Sequence, residues 1–185
     1  GGLLMTGGED RRVQVVQVRR EKSQLRCNVL HAFQNHSSSV RGLASFEWNR
    51  VFLLMPRLPD NRGYLLFSCG GRNTICAWSL SADASCILVV LTYSTSCVLR
   101  SQLPIRDASN SIEGGDQRFM DVSVLPCDAH RALVGVGDSR GSIELYAISD
   151  TDCVLTRVFS SIVHATPILS LRLCEVEGDV LAVAG

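Results

Sequence analysis

The sequence has few aromatic residues, no surplus of either charge and no long hydrophobic run. Aromatic side chains make up 6% of the 185 residues, and 18 basic residues balance 18 acidic ones. The chain therefore has no global field that would attract nucleic acid, and such binding would require a local patch. The longest aliphatic run, Ile87 to Leu91, is far too short to cross a bilayer. We expect neither a signal peptide nor a membrane partner.

Cysteine pairs with metal-site spacing are also missing. None of the eight cysteines forms a Cys-x-x-Cys pair, and most lie in apolar runs such as FSCGG (67–71) and SCILVV (85–90). A disulfide framework is therefore not expected in a chain of this size. Free cysteine behaves as a small core residue. We expect buried, reduced thiols in an intracellular protein.

The sequence does contain apolar residues that recur with a period of two. VQVVQV (13–18), TICAWSL (74–80) and SIELYAI (142–148) alternate or nearly alternate. This pattern is typical of half-buried β-strands. No stretch carries a convincing apolar stripe with a period of 3.6 residues. The pattern predicts an all-β, antiparallel protein.

The strands form a repeated unit, in which an apolar run leads into a polar turn and an alternating run follows. The copies are 3–18, 65–80, 132–148 and the start of a fourth, 179–185. When the copies are aligned on the first aliphatic residue after the turn, Val16, Trp78 and Tyr146 fall at one position. A four-stranded unit that repeats about every 45 residues is the signature of a β-propeller blade.

We expect two complete blades flanked by two partial ones. The boundaries are the end of a blade at 1–18, blades at 24–80 and 84–148, and a truncated blade at 153–185. The wide spacing of the copies predicts insertions at 49–63 and 93–117. The second insertion contains the polar run RDASNSIEGGDQ, which is either an exposed loop or a partner-binding one. Because the last residues, VLAVAG, are an apolar run, we expect the chain to be part of a longer protein.

The turn of the third copy reads GDSRG (137–141), close to the GDSGG stretch around the nucleophile of trypsin-like proteases. The other copies have GGEDRR and CGGRNT in its place, so what the copies share is turn chemistry rather than Asp-Ser. Arg140 replaces a glycine that would expose an amide to an oxyanion, and none of the four histidines stands in a recognisable triad context. We predict that Ser139 is a turn residue. A hydrolase built on Ser139 is the alternative from another functional class.

The strongest local charge cluster lies at residues 9–26, which carry a net charge of +3. Its cations are Arg11, Arg12, Arg19, Arg20, Lys22 and Arg26. Two interpretations stay open: a solvated blade edge, or one RNA-contact patch that faces phosphates. No aromatic residues interleave with these charges, so no base-stacking platform is predicted.

No set of residues predicts a metal, cofactor or small-molecule site. Cys27 and His31 share one face of a predicted strand and His36 follows, but no second Cys pair completes a tetrahedral set. The same holds for Cys127 and His130. The carboxylates are scattered rather than paired, and no phosphate-binding glycine loop precedes a helix.

The repeated unit resembles a WD repeat, which has a loop His, three strands with a tight turn before the third, and an aromatic residue and Asp at its end. His36 and His164 stand where the family has its Gly-His dipeptide. Trp78 and Tyr146 stand at the family's Trp, and Asp10 stands at the turn Asp. The resemblance implies that these five are structural blade positions.

The unit departs from the WD pattern at two places. Asn35 and Val163 replace the Gly before the His, and Gln17, Ser79 and Ala147 replace the final Asp. These departures bear on the His–Asp hydrogen-bond network that makes regular blades rigid.

Several stretches are similar to the C-terminal propeller region of the WD repeat-containing protein 6 family. They include NHSSSVRGLA (35–44), CGGRNTICAWSL (69–80) and VFSSIVHATPILSLRL (158–173), and the similarity runs in order along essentially the whole chain. The resemblance implies a cytoplasmic, non-catalytic scaffold or adaptor. Such a protein partners a tRNA ribose 2′-O-methyltransferase subunit and directs it to the wobble nucleotide of the anticodon loop, while that subunit binds S-adenosylmethionine. The alternative is a generic WD-repeat scaffold in another complex.

Overall fold

The chain is an antiparallel all-β structure. A computed structural model describes residues 2–34, 36–48, 63–71, 74–81, 87–94, 117–128, 130–149 and 155–185. Its strands are β1 (Gly2–Gly7), β2 (Val13–Glu21), β3 (Gln24–Phe33), β4 (Val40–Trp48), β5 (Gly63–Gly70), β6 (Thr74–Ser81), β7 (Ile87–Ser94), β8 (Phe119–Pro126), β9 (Arg131–Asp138), β10 (Ser142–Ser149), β11 (Thr156–Ile162), β12 (Leu171–Val176) and β13 (Asp179–Ala184). The predicted class is confirmed. Within these ranges there is no helix long and apolar enough to span a membrane.

The strands form four sheets of sequential hairpins. Sheet 1 is β1-β2-β3, sheet 2 is β4-β5-β6-β7, sheet 3 is β8-β9-β10-β11, and sheet 4 is β12-β13. The first strands of sheets 2, 3 and 4 lie side by side. The amide of Leu171 in β12 donates to Asp121 Oδ2 in β8 at 2.8 Å, and the amide of Leu173 donates to Ser123 Oγ at 3.0 Å. The sheets therefore follow one another around a common inner side, as propeller blades do.

Equivalent bulges mark the repeat in the structure. The pairing of the third and fourth strands shifts register between Ala77 and Trp78 in sheet 2 and between Leu145 and Tyr146 in sheet 3. In sheet 1, β2 and β3 shift immediately before Val16. Val16, Trp78 and Tyr146, which the sequence repeat superposes, therefore occupy the same place in three sheets. A bulge increases local twist, and its repetition gives successive sheets the same shape.

The predicted units and the sheets are offset by one strand. The predicted blade 24–80 begins with β3, but β3 pairs with β2 and closes sheet 1. In the same way, β11 closes sheet 3 and pairs with β10. The outer strand that opens each predicted unit therefore belongs to the preceding sheet. Most of the insertions predicted at 49–63 and 93–117 lies outside the described residues.

The core consists of layers between neighbouring sheets. Phe67 and Ile75 of sheet 2 pack with Phe119, Val134 and Tyr146 of sheet 3. A second layer joins sheets 1 and 2, formed by Val15, Leu66, Cys76, Trp78 and Leu80. Successive residues of a strand face opposite sides, so β5 directs Leu66 and Phe67 into different layers. Sheet 2 is therefore buried on both faces.

The cysteines divide between these layers and the surface. Cys69 and Cys76 are buried as expected, and burial raises the pKa of the Cys69 thiol far above its usual range. Cys27 and Cys127 are exposed, contrary to the expectation of buried thiols. Cys27 lies on the outer strand β3, and Cys127 lies in the turn after β8, where none of the described sheets covers them.

Candidate functional site

Two opposite edges of the sheets carry the connections between strands. The upper edge comprises the turns after β1, β5 and β9 and the segments that lead into β4, β8 and β12. The lower edge comprises the turns after β2, β8 and β12. Neighbouring sheets meet at the upper edge, where the amide of Val40 donates to the Gly8 carbonyl at 3.0 Å and that of Ile168 donates to the Asp138 carbonyl, also at 3.0 Å.

A buried hydrogen-bond chain supports the upper edge of sheet 2. The indole N–H of Trp78 donates to Ser68 Oγ at 3.0 Å, and the same oxygen lies 2.8 Å from His36 Nε2. Trp78 is 1% exposed and stacks on Phe33 with ring centroids 4.2 Å apart. The chain ties the segment before β4 to β5 and β6. These hydrogen bonds stabilise the connections at the upper edge of sheet 2.

Burial determines the protonation state of His36. The hydrogen bond between Nε2 and Ser68 Oγ is compatible with either neutral tautomer, because a hydroxyl that accepts the indole proton can still donate its own proton or accept a second one. Nδ1 is buried and has no hydrogen-bond partner among the described residues. Burial lowers the pKa of His36 to about 4, so the ring is neutral at neutral pH.

Sheet 3 organises the same region with a carboxylate. Asp138 is 1% exposed, and its Oδ1 accepts from the amides of Arg140 at 2.8 Å and Ser142 at 2.9 Å. The side chain of Gln117 donates to Asp138 Oδ2. In the aligned repeats, sheet 2 has glycine where sheet 3 has Asp138. The two sheets thus use different residues to hold equivalent turns.

A buried pair on β10 completes the polar network of sheet 3. The hydroxyl of Tyr146 donates to a carboxylate oxygen of Glu144, and both side chains are buried. Tyr146 occupies the place of Trp78, but its partner is two residues away on its own strand. Trp78 and Tyr146 were expected from the sequence, whereas Ser68, Gln117, Asp138 and Glu144 were not. Only Asp138 carries a local signal, since Asp before Ser and Gly is a common turn residue.

The other two predicted blade positions lie at the surface. Asp10 is exposed, and its Oδ1 accepts from the Arg12 amide at 3.2 Å within the turn after β1. His164 is also exposed; its amide donates to the Gly141 carbonyl at 3.1 Å. A side chain at Gly141 would meet the His164 carbonyl at 2.0 Å, so the two backbones are in close contact. His164 thus meets the turn through its backbone.

The structure divides the predicted basic cluster between the two edges. Arg11 and Arg12 lie in the upper turn after β1. The other four cations, Arg19, Arg20, Lys22 and Arg26, surround the lower hairpin between β2 and β3. The nine residues of β2 span about 30 Å between these groups. In the hairpin, Arg26 Nε lies 2.9 Å from Glu21 Oε2. The single patch considered from the sequence is therefore two separate groups of cations.

Ser139 takes part in the upper-edge backbone. Its hydroxyl oxygen accepts from the Arg118 amide at 3.0 Å, and its own amide donates to the Arg118 carbonyl at 2.9 Å. These two bonds join the turn after β9 to the segment before β8. Across the described part of the chain, no group of three His, Cys, Asp or Glu residues could hold a metal ion.

Comparison with known proteins identifies the fold. No protein-family model matches the sequence, and no curated protein matches it. The structure is similar to that of Saccharomyces cerevisiae Sqt1, a WD-repeat protein, with a TM-score of 0.55 and 13% identity over 92% of this chain. The chain spans 35% of the length of Sqt1. The likeness shows that this chain forms part of a WD-like β-propeller fold. It does not distinguish the WD repeat-containing protein 6 family from other WD-repeat proteins.

Proposed function

We propose that the protein is a non-catalytic, cytoplasmic WD-repeat adaptor that positions a tRNA ribose 2′-O-methyltransferase at the wobble nucleotide. The adaptor role is supported by the structural function of the polar side chains at the upper edge. His36, Ser68 and Asp138 are buried and hydrogen-bonded within the sheets, where they hold turns in place. Rigid sheets that present fixed turns are suited to binding other macromolecules. The stretches that are similar to the WD repeat-containing protein 6 family support the methyltransferase as the partner.

The test compares cells that lack the full-length protein with cells that express it. We expect the null cells to lose 2′-O-methylation at the wobble nucleotide of the substrate tRNAs. Methylation by the same enzyme at other anticodon-loop positions should persist, because the partner keeps its own active site. Purified protein alone should transfer no methyl group. Unchanged wobble methylation in the null cells would exclude this partnership and favour a generic WD-repeat scaffold in another complex.

The hydrolase alternative has its own test. A serine-directed fluorophosphonate should not label Ser139 in the folded full-length protein, because its hydroxyl oxygen is engaged with the Arg118 amide. Stoichiometric labelling that disappears in Ser139→Ala would establish a nucleophile there and contradict the adaptor role.

A further inference from the structure

A polar cleft opens at the upper edge between sheets 2 and 3. Its volume is about 380 Å³, and its lining includes Ser37, Ser38, Gly71 and Arg118. The serines precede β4, Gly71 follows β5, and Arg118 precedes β8. Three separate segments from two sheets therefore converge on the cleft. These four residues contribute hydroxyl groups and a guanidinium, and none of them carries a carboxylate.

The backbone keeps this cleft open and its arginine in place. Gly71 has φ of +60°, and a Cβ there would lie 2.9 Å from Ser38 Cβ, so a larger residue would both strain the turn and fill the space. The amide of Arg118 donates to Ser139 Oγ and its carbonyl accepts from the Ser139 amide. The turn after β9 therefore fixes the point from which the Arg118 side chain extends.

The rest of the upper edge presents further arginines, together with carboxylates. Arg11 and Arg12 are exposed in the turn after β1, and Arg140 is exposed in the turn that holds Arg118. The carboxylates Glu9 and Asp10 are exposed in the same turn as Arg11 and Arg12, whereas Asp138 is buried under three donors. Successive sheets thus present arginines along one edge.

We propose that this cleft binds a phosphodiester group of an RNA strand, and that the arginines of the neighbouring upper-edge turns contact the flanking phosphates. A tetrahedral phosphate offers oxygens in several directions, which suits hydroxyls on one wall and a guanidinium on the other. Arginine and serine are frequent donors to nucleic-acid phosphates, and arginine can bind one through two parallel bonds. None of these four lining residues is aromatic, which fits contact with the backbone rather than the bases. The choice of tRNA as the strand rests on the proposed function.

The experiment measures binding of a labelled tRNA anticodon stem-loop to the full-length protein by fluorescence anisotropy over a salt series. Arg118→Gln should weaken binding about tenfold, since it removes a charged hydrogen bond to phosphate. It should also reduce the slope of log affinity against log salt by about 0.7, the value for one single-strand phosphate contact. The double variant Ser37→Ala, Ser38→Ala tests the opposite wall with little change in side-chain volume and should weaken binding severalfold. Melting temperatures identify variants that fail to fold.

Arg131→Gln is the matched control, because it removes one arginine from the lower edge, where Arg131 lies 2.7 Å from Asp128. It should leave both affinity and slope unchanged. Equal affinity of Arg118→Gln, the serine variant and wild type would overturn the proposal. A second result would also overturn it, namely displacement of the RNA by a poly-glutamate peptide added at the same concentration of negative charges. That result would indicate that an acidic protein segment occupies the cleft. If null cells lose wobble methylation but Arg118→Gln binds RNA normally, the cleft is not the RNA site, and the proposed adaptor function still stands.

Discussion

At the scale of single residues, His36 is a buried base held neutral by its surroundings. It is 4% exposed and its pKa is about 4, against 6.5 for the free side chain. Between pH 6.5 and about pH 4, His36 binds a proton in the unfolded chain but not in the folded chain. As the pH decreases through this window, the free energy of unfolding should therefore decrease by up to about 3 kcal/mol. Outside the window, the contribution of His36 should be constant.

Urea unfolding of the full-length protein between pH 4 and pH 7 measures this contribution, with His36→Gln as the variant that cannot titrate. The variant should be less stable at pH 7, because it loses the fit to Ser68, and its stability should depend less on pH. Identical pH slopes for the two proteins would show that His36 does not differ in pKa between the folded and unfolded states.

Trp78 joins the core layer between sheets 1 and 2 to the same hydrogen-bond chain. Its ring is 1% exposed, so Trp78→Ala should cost about 3–5 kcal/mol through the cavity it leaves. Trp78→Phe keeps most of the contact with Phe33 but deprives Ser68 of its donor, and should cost less. Soluble yield and melting temperature of the full-length variants measure both effects. A near-normal melting temperature for Trp78→Ala would contradict the packing described.

At the scale of strands and hairpins, the lower hairpin of sheet 1 and the upper cleft lie at opposite edges. The hairpin cations are partly compensated, since Arg26 pairs with Glu21. We therefore expect the hairpin to be a solvated edge. The triple variant Arg19→Gln, Arg20→Gln, Lys22→Gln should change anticodon stem-loop affinity by less than about twofold and leave the salt slope unchanged. A slope that falls by about 0.7 or more would place a phosphate contact on the hairpin.

Element-scale features also show what a sequence can and cannot predict here. The alternation around Val13, Ile75 and Ile143 predicted β2, β6 and β10, because period two follows directly from strand geometry. It also aligned the places on these strands opposite which β3, β7 and β11 carry a bulge. The sheet to which an outer strand belongs was not predictable, because the apolar alternation of β3 and β11 does not specify their pairing partners, which the structure shows to be β2 and β10. Sheet membership depends on pairing, which a single sequence does not reveal.

The polar partners of the candidate site were hidden for a related reason. Ser68 contacts His36 across 32 residues and Gln117 contacts Asp138 across 21, so neither pair leaves a local motif. His36 and Trp78 were identified through their place in the repeat, and both are buried in the network of sheet 2. Asp10 and His164 were identified by the same reasoning, but their side chains are exposed. Position in a repeat fixes the backbone more firmly than it fixes the role of a side chain.

At the scale of the whole molecule, stability depends on the contact of each sheet with its neighbours. Sheets 2 and 3 are covered on both faces, whereas the described parts of sheets 1 and 4 have three strands and two. Gly137 shows how close the contact between sheets 3 and 4 is, because a Cβ there would lie 2.5 Å from Ile168 Cγ2. Repeat units of this kind are stabilised by nearest-neighbour interfaces.

The 185-residue chain expressed alone should therefore self-associate. Leu4 on β1 is 51% exposed and Val183 on β13 is 62% exposed, and both belong to apolar strands at opposite ends of the sheet series. Apolar surface of this kind is normally covered by another blade or another molecule. The isolated chain should bind a hydrophobic dye such as ANS strongly and form species larger than a monomer in analytical ultracentrifugation, while the full-length protein in the same buffer should do neither. A monomeric chain with one sharp, cooperative unfolding transition and little dye fluorescence would mean that these four sheets form a self-contained domain.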